Sequence, residues 1–190
     1  MLLMPTVSFP NGAACRSSQA KFQKSSRNTP STMNNNPDSS LLKTAVEHTD
    51  DVKGNFKVGL GAIKNNERQK FVVPDPRLIG GSLDIDSSTK DKYPDNFRWD
   101  YAVEYKNETF FIEIHPGSTS EIQTVIAKLD WLKHWLKEKA PEIDALKPKD
   151  KQPYHWVFTN KFAILPNSRY AKLLSLHGII PTKQWDYSKL

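Results

Sequence analysis

A single cysteine in 190 residues permits no internal disulfide and no cysteine-based metal site, which fits a reducing cytosol. No apolar run approaches the roughly 18 to 20 residues of a membrane-spanning helix, so a transmembrane protein is not expected. The N-terminal MLLMPTVSFPNGAAC is interrupted by Pro5 and Pro10, and no Lys or Arg precedes it. Gly12 stands where a lipoprotein signal ahead of Cys15 wants a large aliphatic residue, so export is not expected either. There is no glycine-rich phosphate loop and no Gly-x-Ser-x-Gly elbow, and Cys15 lies in a segment unsuited to thiol catalysis. Charge of one sign is also scarce in the folding part of the chain. Of the net +6, residues 1–40 carry +3 through four basic residues against one acid. The remaining 23 basic and 20 acidic residues leave only +3, a mild preference for polyanions that a solvated lysine-rich surface explains about as well.

What is present is enough for a core, since 37% of residues are apolar and 11% aromatic. The first forty residues are rich in Ser, Asn, Thr and Pro without a hydrophobic period, and they read as a disordered arm ahead of one domain over residues 41–190. From Ser40, Ala45, Val52, Phe56, Leu60 and Ile63 recur at helical spacing and predict a first helix, weakened by Gly54, Gly59 and Gly61. SLDID predicts a strand with Leu83 and Ile85 on one side and Asp84 and Asp86 on the other. RWDYAVEYKNETFFIEIHPG supplies two more strands around a polar break. Ser118 or Thr119 then caps a helix with a stripe of Ile122, Val125, Ile126, Leu129, Leu132 and Leu136, ending near Ala140 and Pro141. HWVFTNKFAILP predicts two short strands turning at Asn160 and Lys161, and RYAKLLSLHG a last helix closed by Gly178.

Acids inside the hairpin strands demand a reason, because Asp is disfavoured in strands and an unpaired carboxylate in a central strand is strongly destabilising. Alternation puts Glu113 and His115 on one face and Asp100, Ala102 and Glu104 together on the neighbouring strand. An even-numbered loop, at Asn107–Glu108 or over Lys106 to Thr109, would set Asp100 opposite His115 and Ala102 opposite Glu113. Such a cluster suits Mg²⁺ or Mn²⁺, a hard ion taking one or two carboxylates with waters and phosphate oxygens. The bland alternatives are an edge acid paired with Arg98 for Asp100, a satisfied strand-end imidazole for His115, and strand-exit caps for Asp84 and Asp86. Trp131, His134 and Trp135 on the long helix read as packing rather than as a base-stacking platform.

With Asp100 on the second strand of a meander, Glu113-Ile114-His115 on the third and a long helix following, residues 41 to about 165 resemble the PD-(D/E)XK nuclease superfamily. The resemblance implies an α/β, restriction-endonuclease-like fold, a central mixed sheet flanked by helices in the order αβββαββα. It implies a Mg²⁺- or Mn²⁺-dependent endonuclease acting on nucleic acid, DNA first, with a homodimer as the arrangement that cuts both strands, which joins the cytoplasmic, non-membrane expectation drawn from the single cysteine and the short apolar runs. Asp100 and Glu113 take the metal-ligand roles, supplemented by Glu47 or more weakly Asp50 or Asp51, with Asp84 and Asp86 as further ligands outside the motif. His115 stands where the family carries Lys. It serves as general base or ligand, or the amine comes instead from Lys128, which shares a flank of the long helix with Glu121 seven residues earlier. The alternative is a catalytically inactive module of the same fold that binds nucleic acid or a partner protein.

Overall fold

The computed structural model describes residues 40–190; the predicted arm up to its last residue, Cys15 included, lies outside the described residues. In chain order the elements are α1 (Leu41–Glu47), β1 (Lys57–Val58), β2 (Phe71–Val72), β3 (Ile79–Asp84), α2 (Ile85–Thr89), β4 (Tyr101–Tyr105), β5 (Glu108–His115), α3 (Ile122–Lys139), α4 (Pro141–Ala145), β6 (Tyr154–Phe158), α5 (Arg169–His177), β7 (Ile180–Thr182) and β8 (Trp185–Asp186). No helix among them is long and apolar enough to cross a membrane. The domain is α/β, built on a mixed six-stranded sheet in the order β1-β3-β4-β5-β6-β7, with β2 and β8 forming a separate parallel pair. The first four strands are antiparallel neighbours, while β6 and β7 add in parallel, as strands reached through helical crossovers do.

Buried residues from all five helices share one core with Leu83, Ala102, Phe111 and Trp156 of the sheet. The opposite face, with Tyr101, Val103, Phe110, Ile112 and Val157, is covered by Ile63, Phe71 and Trp185 instead. The mixed sheet is thus flanked by helices, as expected, with the buried residues of the five α-helices gathered in the first of these two cores.

Three predicted elements end differently. The first helix stops at Glu47 with His48 as its C-cap, and the chain then runs through turns in which Gly54 and Gly59 take φ of 78° and 58°. Val52 and Ile63 are still buried, so their spacing recorded burial along turns rather than a helical face. The strand over SLDID ends at Asp84, whose side chain accepts from the Ser87 N–H at 2.8 Å and starts α2 with Ile85. The strand expected over 161–165 does not form; the Asn160 side-chain oxygen accepts from the Gly117 N–H at 2.6 Å at the start of that segment, which is a loop. Short α2 and α4 and the two-residue strands β1 and β2 further separate the observed order from αβββαββα. The long helix and the last one stand where expected, with Gly178 at φ 74° closing α5.

Candidate active site

The hairpin of β4 and β5 turns through Lys106 and Asn107, both at positive φ, 54° and 65°. That is a two-residue loop of the kind whose twist matches paired strands. It lies one residue earlier than the Asn107–Glu108 alternative, so the pairing slides: Tyr101 faces Ile112 and Ala102 faces Phe111. The next pair in this register is Asp100 with Glu113, not Asp100 with His115, and Ala102 does not face Glu113. The loop is nevertheless even-numbered, so both carboxylates project from the same face, the one covered by α3.

Each carboxylate is fastened to the backbone of the neighbouring strand. Asp100 Oδ2 accepts from the Ile114 N–H at 2.9 Å, and Glu113 Oε2 accepts from the Asp100 N–H at 3.2 Å. Their remaining oxygens, Asp100 Oδ1 at 3.2 Å and Glu113 Oε1, both receive the ammonium of Lys128 from the second turn of α3. The apolar stripe of α3 fixes that approach, since Val125 and Leu129 on either side are buried in the core and Lys128 lies beside them. His115 carries the cluster to the strand's end, with Nδ1 3.5 Å from Glu113 Oε1 and Nε2 2.8 Å from Glu121 Oε2.

Glu113 is fully buried, whereas the side chains of Asp100, Lys128 and His115 keep 21%, 15% and 22% of their surface open, so the cluster runs from the interior to the surface. Burial, reinforced by the charge of Glu113, pushes the Asp100 carboxyl up to about 7. Burial pulls Lys128 down, but the two carboxylates outweigh it and hold the amine above its ordinary value. Glu113 and then Glu121 hold the His115 imidazolium above its usual range.

Other nominated acids stand elsewhere. Asp84 pairs with Tyr101 and so projects from the opposite face, where it caps α2; it is no ligand of this cluster. Asp86 holds Arg98 Nε at 2.8 Å. Glu47 accepts from the Gly54 N–H at 3.3 Å, bracing the turn after α1 rather than joining the hairpin acids. Asp51 is engaged by Lys92, the Tyr93 hydroxyl and the Trp135 indole N–H, so it too is structural. Trp135 is buried with Trp131 stacked on it at 5.9 Å, as packing predicts. Glu121, which the sequence places on one flank with Lys128 but to which it assigns no role, joins the site through His115. Its signal was the seven-residue spacing to Lys128, although it sits in the 3₁₀ turn Thr119–Glu121 ahead of α3.

Among the described residues, no group of three or more His, Cys, Asp or Glu side chains is arranged around a shared metal position. What the hairpin provides is two convergent carboxylates around one cationic group. That donor set fits Mg²⁺ or Mn²⁺, which bind through one or two carboxylates and otherwise through water and phosphate oxygens. The chain matches no protein-family model, no curated protein and no solved structure.

Proposed function

We propose that the protein is a Mg²⁺- or Mn²⁺-dependent nuclease of the restriction-endonuclease-like class, hydrolysing phosphodiester bonds with DNA as first substrate. The observation that carries this reading is the ammonium of Lys128 lying against both Asp100 and Glu113, three groups from β5, the residue ahead of β4, and α3. The antiparallel β3-β4-β5 meander followed by α3 and a parallel β6 supports it, because this is the order that the PD-(D/E)XK resemblance implies. Lys128 supplies from the helix the amine that His115 lacks in the motif.

Asp100 and Glu113 would hold the metal, which when bound lowers the pKa of a water and offsets charge on the phosphodiester. Lys128 donates to whatever oxygen stands between the two carboxylates and holds it in line. His115, oriented by Glu121 at 2.8 Å, is placed to hold or deliver a proton at its ring nitrogens on the open side of the cluster. Burial of Glu113 keeps water away from one side of the pair and strengthens each of these interactions.

The test is cleavage of single-stranded, duplex and branched DNA and of RNA, with Mg²⁺, Mn²⁺ or EDTA, by the wild type and a Glu113→Gln variant. Metal-dependent cutting by the wild type alone is expected. Mg²⁺ should also raise the wild-type melting temperature, by about 2.7 kcal/mol of stability at a hundredfold excess over its dissociation constant, and the variant's far less. Identical behaviour of both proteins on every substrate would refute catalysis and leave the inactive binding module.

A further inference from the structure

The folded part of the chain nets only +3, yet no Asp or Glu stands between Asp150 and Asp186, a segment that holds Lys151, Lys161, Arg169, Lys172 and Lys183. Those five charges exceed the excess of the whole folded part, so the rest of the domain is net acidic. Lys151 is engaged, pairing with Glu108 at 3.0 Å. Lys161, Arg169, Lys172 and Lys183 are exposed and make no ion pair among the described residues.

Topology gathers these four at one end of the sheet. Strands β5, β6 and β7 are parallel, so their carboxyl ends lie together, and that of β5 carries Glu113 and His115. Beyond it the Thr159 N–H donates to the His115 carbonyl at 3.1 Å. Gly117 is met twice, its N–H by the Asn160 side chain at 2.6 Å and its carbonyl by the Ala163 N–H at 2.9 Å. Lys161 is therefore held in a loop laid against the chain just past His115. From that loop Ser168 caps α5, accepting from the Ala171 N–H at 3.2 Å, so Arg169 and Lys172 stand at the start of the helix, with the Arg169 guanidinium over the Tyr170 ring at 4.6 Å. The helix ends at His177, just ahead of β7, and so runs back from this end. Lys183 follows Thr182, the last residue of β7, which pairs with Val157 of β6.

Across β4 and β3 the same end of the sheet is different. Between α2 and β4 the chain carries Asp91 and Asp95, exposed, after Asp84 and Asp86. Two of the three cations there are taken, Lys92 by Asp51 at 2.8 Å and Arg98 by Asp86 at 2.8 Å, which leaves Lys90. A phosphate backbone seated at the Asp100 and Glu113 cluster is thus drawn to one side of it and repelled on the other. Open α/β sheets take ligands outside the carboxyl ends of their strands. From β5 to β7 is two strand spacings, about 10 Å, roughly the rise of three nucleotides along a duplex.

We propose that the nucleic acid leaves the cluster over the carboxyl ends of β6 and β7, its phosphates meeting Lys161, Arg169, Lys172 and Lys183, and makes no backbone contact on the β3 and β4 side. The choice of nucleic acid as occupant rests on the nuclease reading, while the direction of the track rests on where the charges stand.

The test is binding of a short fluorescein-labelled DNA duplex to the wild type in EDTA over a series of salt concentrations. Each of Lys161→Met, Lys172→Met and Lys183→Met should flatten the dependence of log affinity on log salt by about 0.9, and the triple variant by nearly three times as much. Lys90→Met, and Lys139→Met at the far end of α3, should leave the slope as it is. All five positions are exposed, so the variants keep the fold. Cleavage assayed separately with Mg²⁺ keeps the two readings apart. A wild type that binds through these lysines and cuts nothing defeats the nuclease and upholds the track, whereas one that cuts while the triple variant keeps the wild-type slope defeats the track alone. Absence of salt-dependent binding by the wild type, or an equal flattening in Lys90→Met, would also overturn the track. So would displacement of the duplex by poly-L-glutamate as readily as by unlabelled duplex, which would mark the surface as a dock for an acidic protein.

Discussion

Glu104 and Glu113 stand towards opposite ends of one hairpin, on the same face of the same sheet, and both are shut off from solvent, at 1% and 0% exposure. Their partners are of different kinds. Glu104 accepts from the Ser40 hydroxyl and from the Leu41 N–H at 3.0 Å, donors that α1 fixes at its first turn. Glu113 accepts from one backbone N–H and otherwise faces Lys128, whose amine it shares with a second carboxylate, and His115 at 3.5 Å. A carboxylate met by rigid donors closes a structural joint. One met by a long amine and crowded by another acid is arranged to exchange its cation, because Lys128 can leave by rotation while the backbone cannot.

The largest expected effect comes from Lys128→Met. It leaves Asp100 and Glu113 facing each other without a cation and should destabilise the fold by about 3–5 kcal/mol in urea denaturation. A loss below about 1 kcal/mol would show that the pair is already compensated by other groups. Glu113→Gln keeps shape and hydrogen-bonding capacity, so it should fold nearly as well as the wild type. Its cleavage rate should nonetheless fall by roughly 10²- to 10³-fold, the size of loss seen when a charge-stabilising group leaves an active site. If Glu113→Gln instead lost stability and kept activity, Glu113 would belong with Glu104.

The other sheet face sharpens the contrast with a buried group that has no charge partner. His155 is fully buried and held down to about 4, below its ordinary 6.5, by desolvation. A depressed imidazole means that between these values the unfolded chain binds a proton that the folded one refuses. Stability from this group is therefore complete above about pH 6.5 and falls as pH drops towards 4, by about 3 kcal/mol over the window. His155→Phe should flatten that limb of the profile, and an unchanged profile would show that the imidazole accepts its proton within the fold.

How much of this could be read beforehand depends on how local the cause is. The stripe of α3 was legible because Ile122, Val125, Ile126, Leu129, Leu132 and Leu136 repeat at three and four residues with no glycine between, and all six are buried. That Asp100 and Glu113 share a face followed from the parity of the loop alone. Their register did not, since it depends on which two residues take positive φ, and Lys106 with Asn107 carries no glycine to mark the turn. The burial of Glu104 was invisible for a different reason: its donor Ser40 lies 64 residues away, and no pattern along β4 points to it. Lys128 was within reach only as the alternative to His115 acting in the amine's place or to a degenerate site, because its approach to the hairpin depends on how α3 packs on the sheet.

Glu104→Ala tests the structural half of the comparison. It strands the Ser40 hydroxyl and the Leu41 N–H in a buried place and should cost about 2 kcal/mol, with cleavage per folded molecule retained. The smallest and most selective change is one residue removed from the carboxylate. A Cβ on Gly80 would come within 2.7 Å of Glu104 Cδ, too close for both to stay. Glu104 is held by α1 on the far side, so it cannot retreat without loosening its bond to Leu41. Gly80→Ala should therefore lower stability by about 1 kcal/mol, the common scale for a point substitution. It should protect the first turn of α1 less against hydrogen exchange while leaving the Lys128 amine and the cleavage rate as they are. Loss of activity in Gly80→Ala would mean that the two carboxylates are coupled along the hairpin, and that the division between joint and reactive site drawn from their partners does not hold.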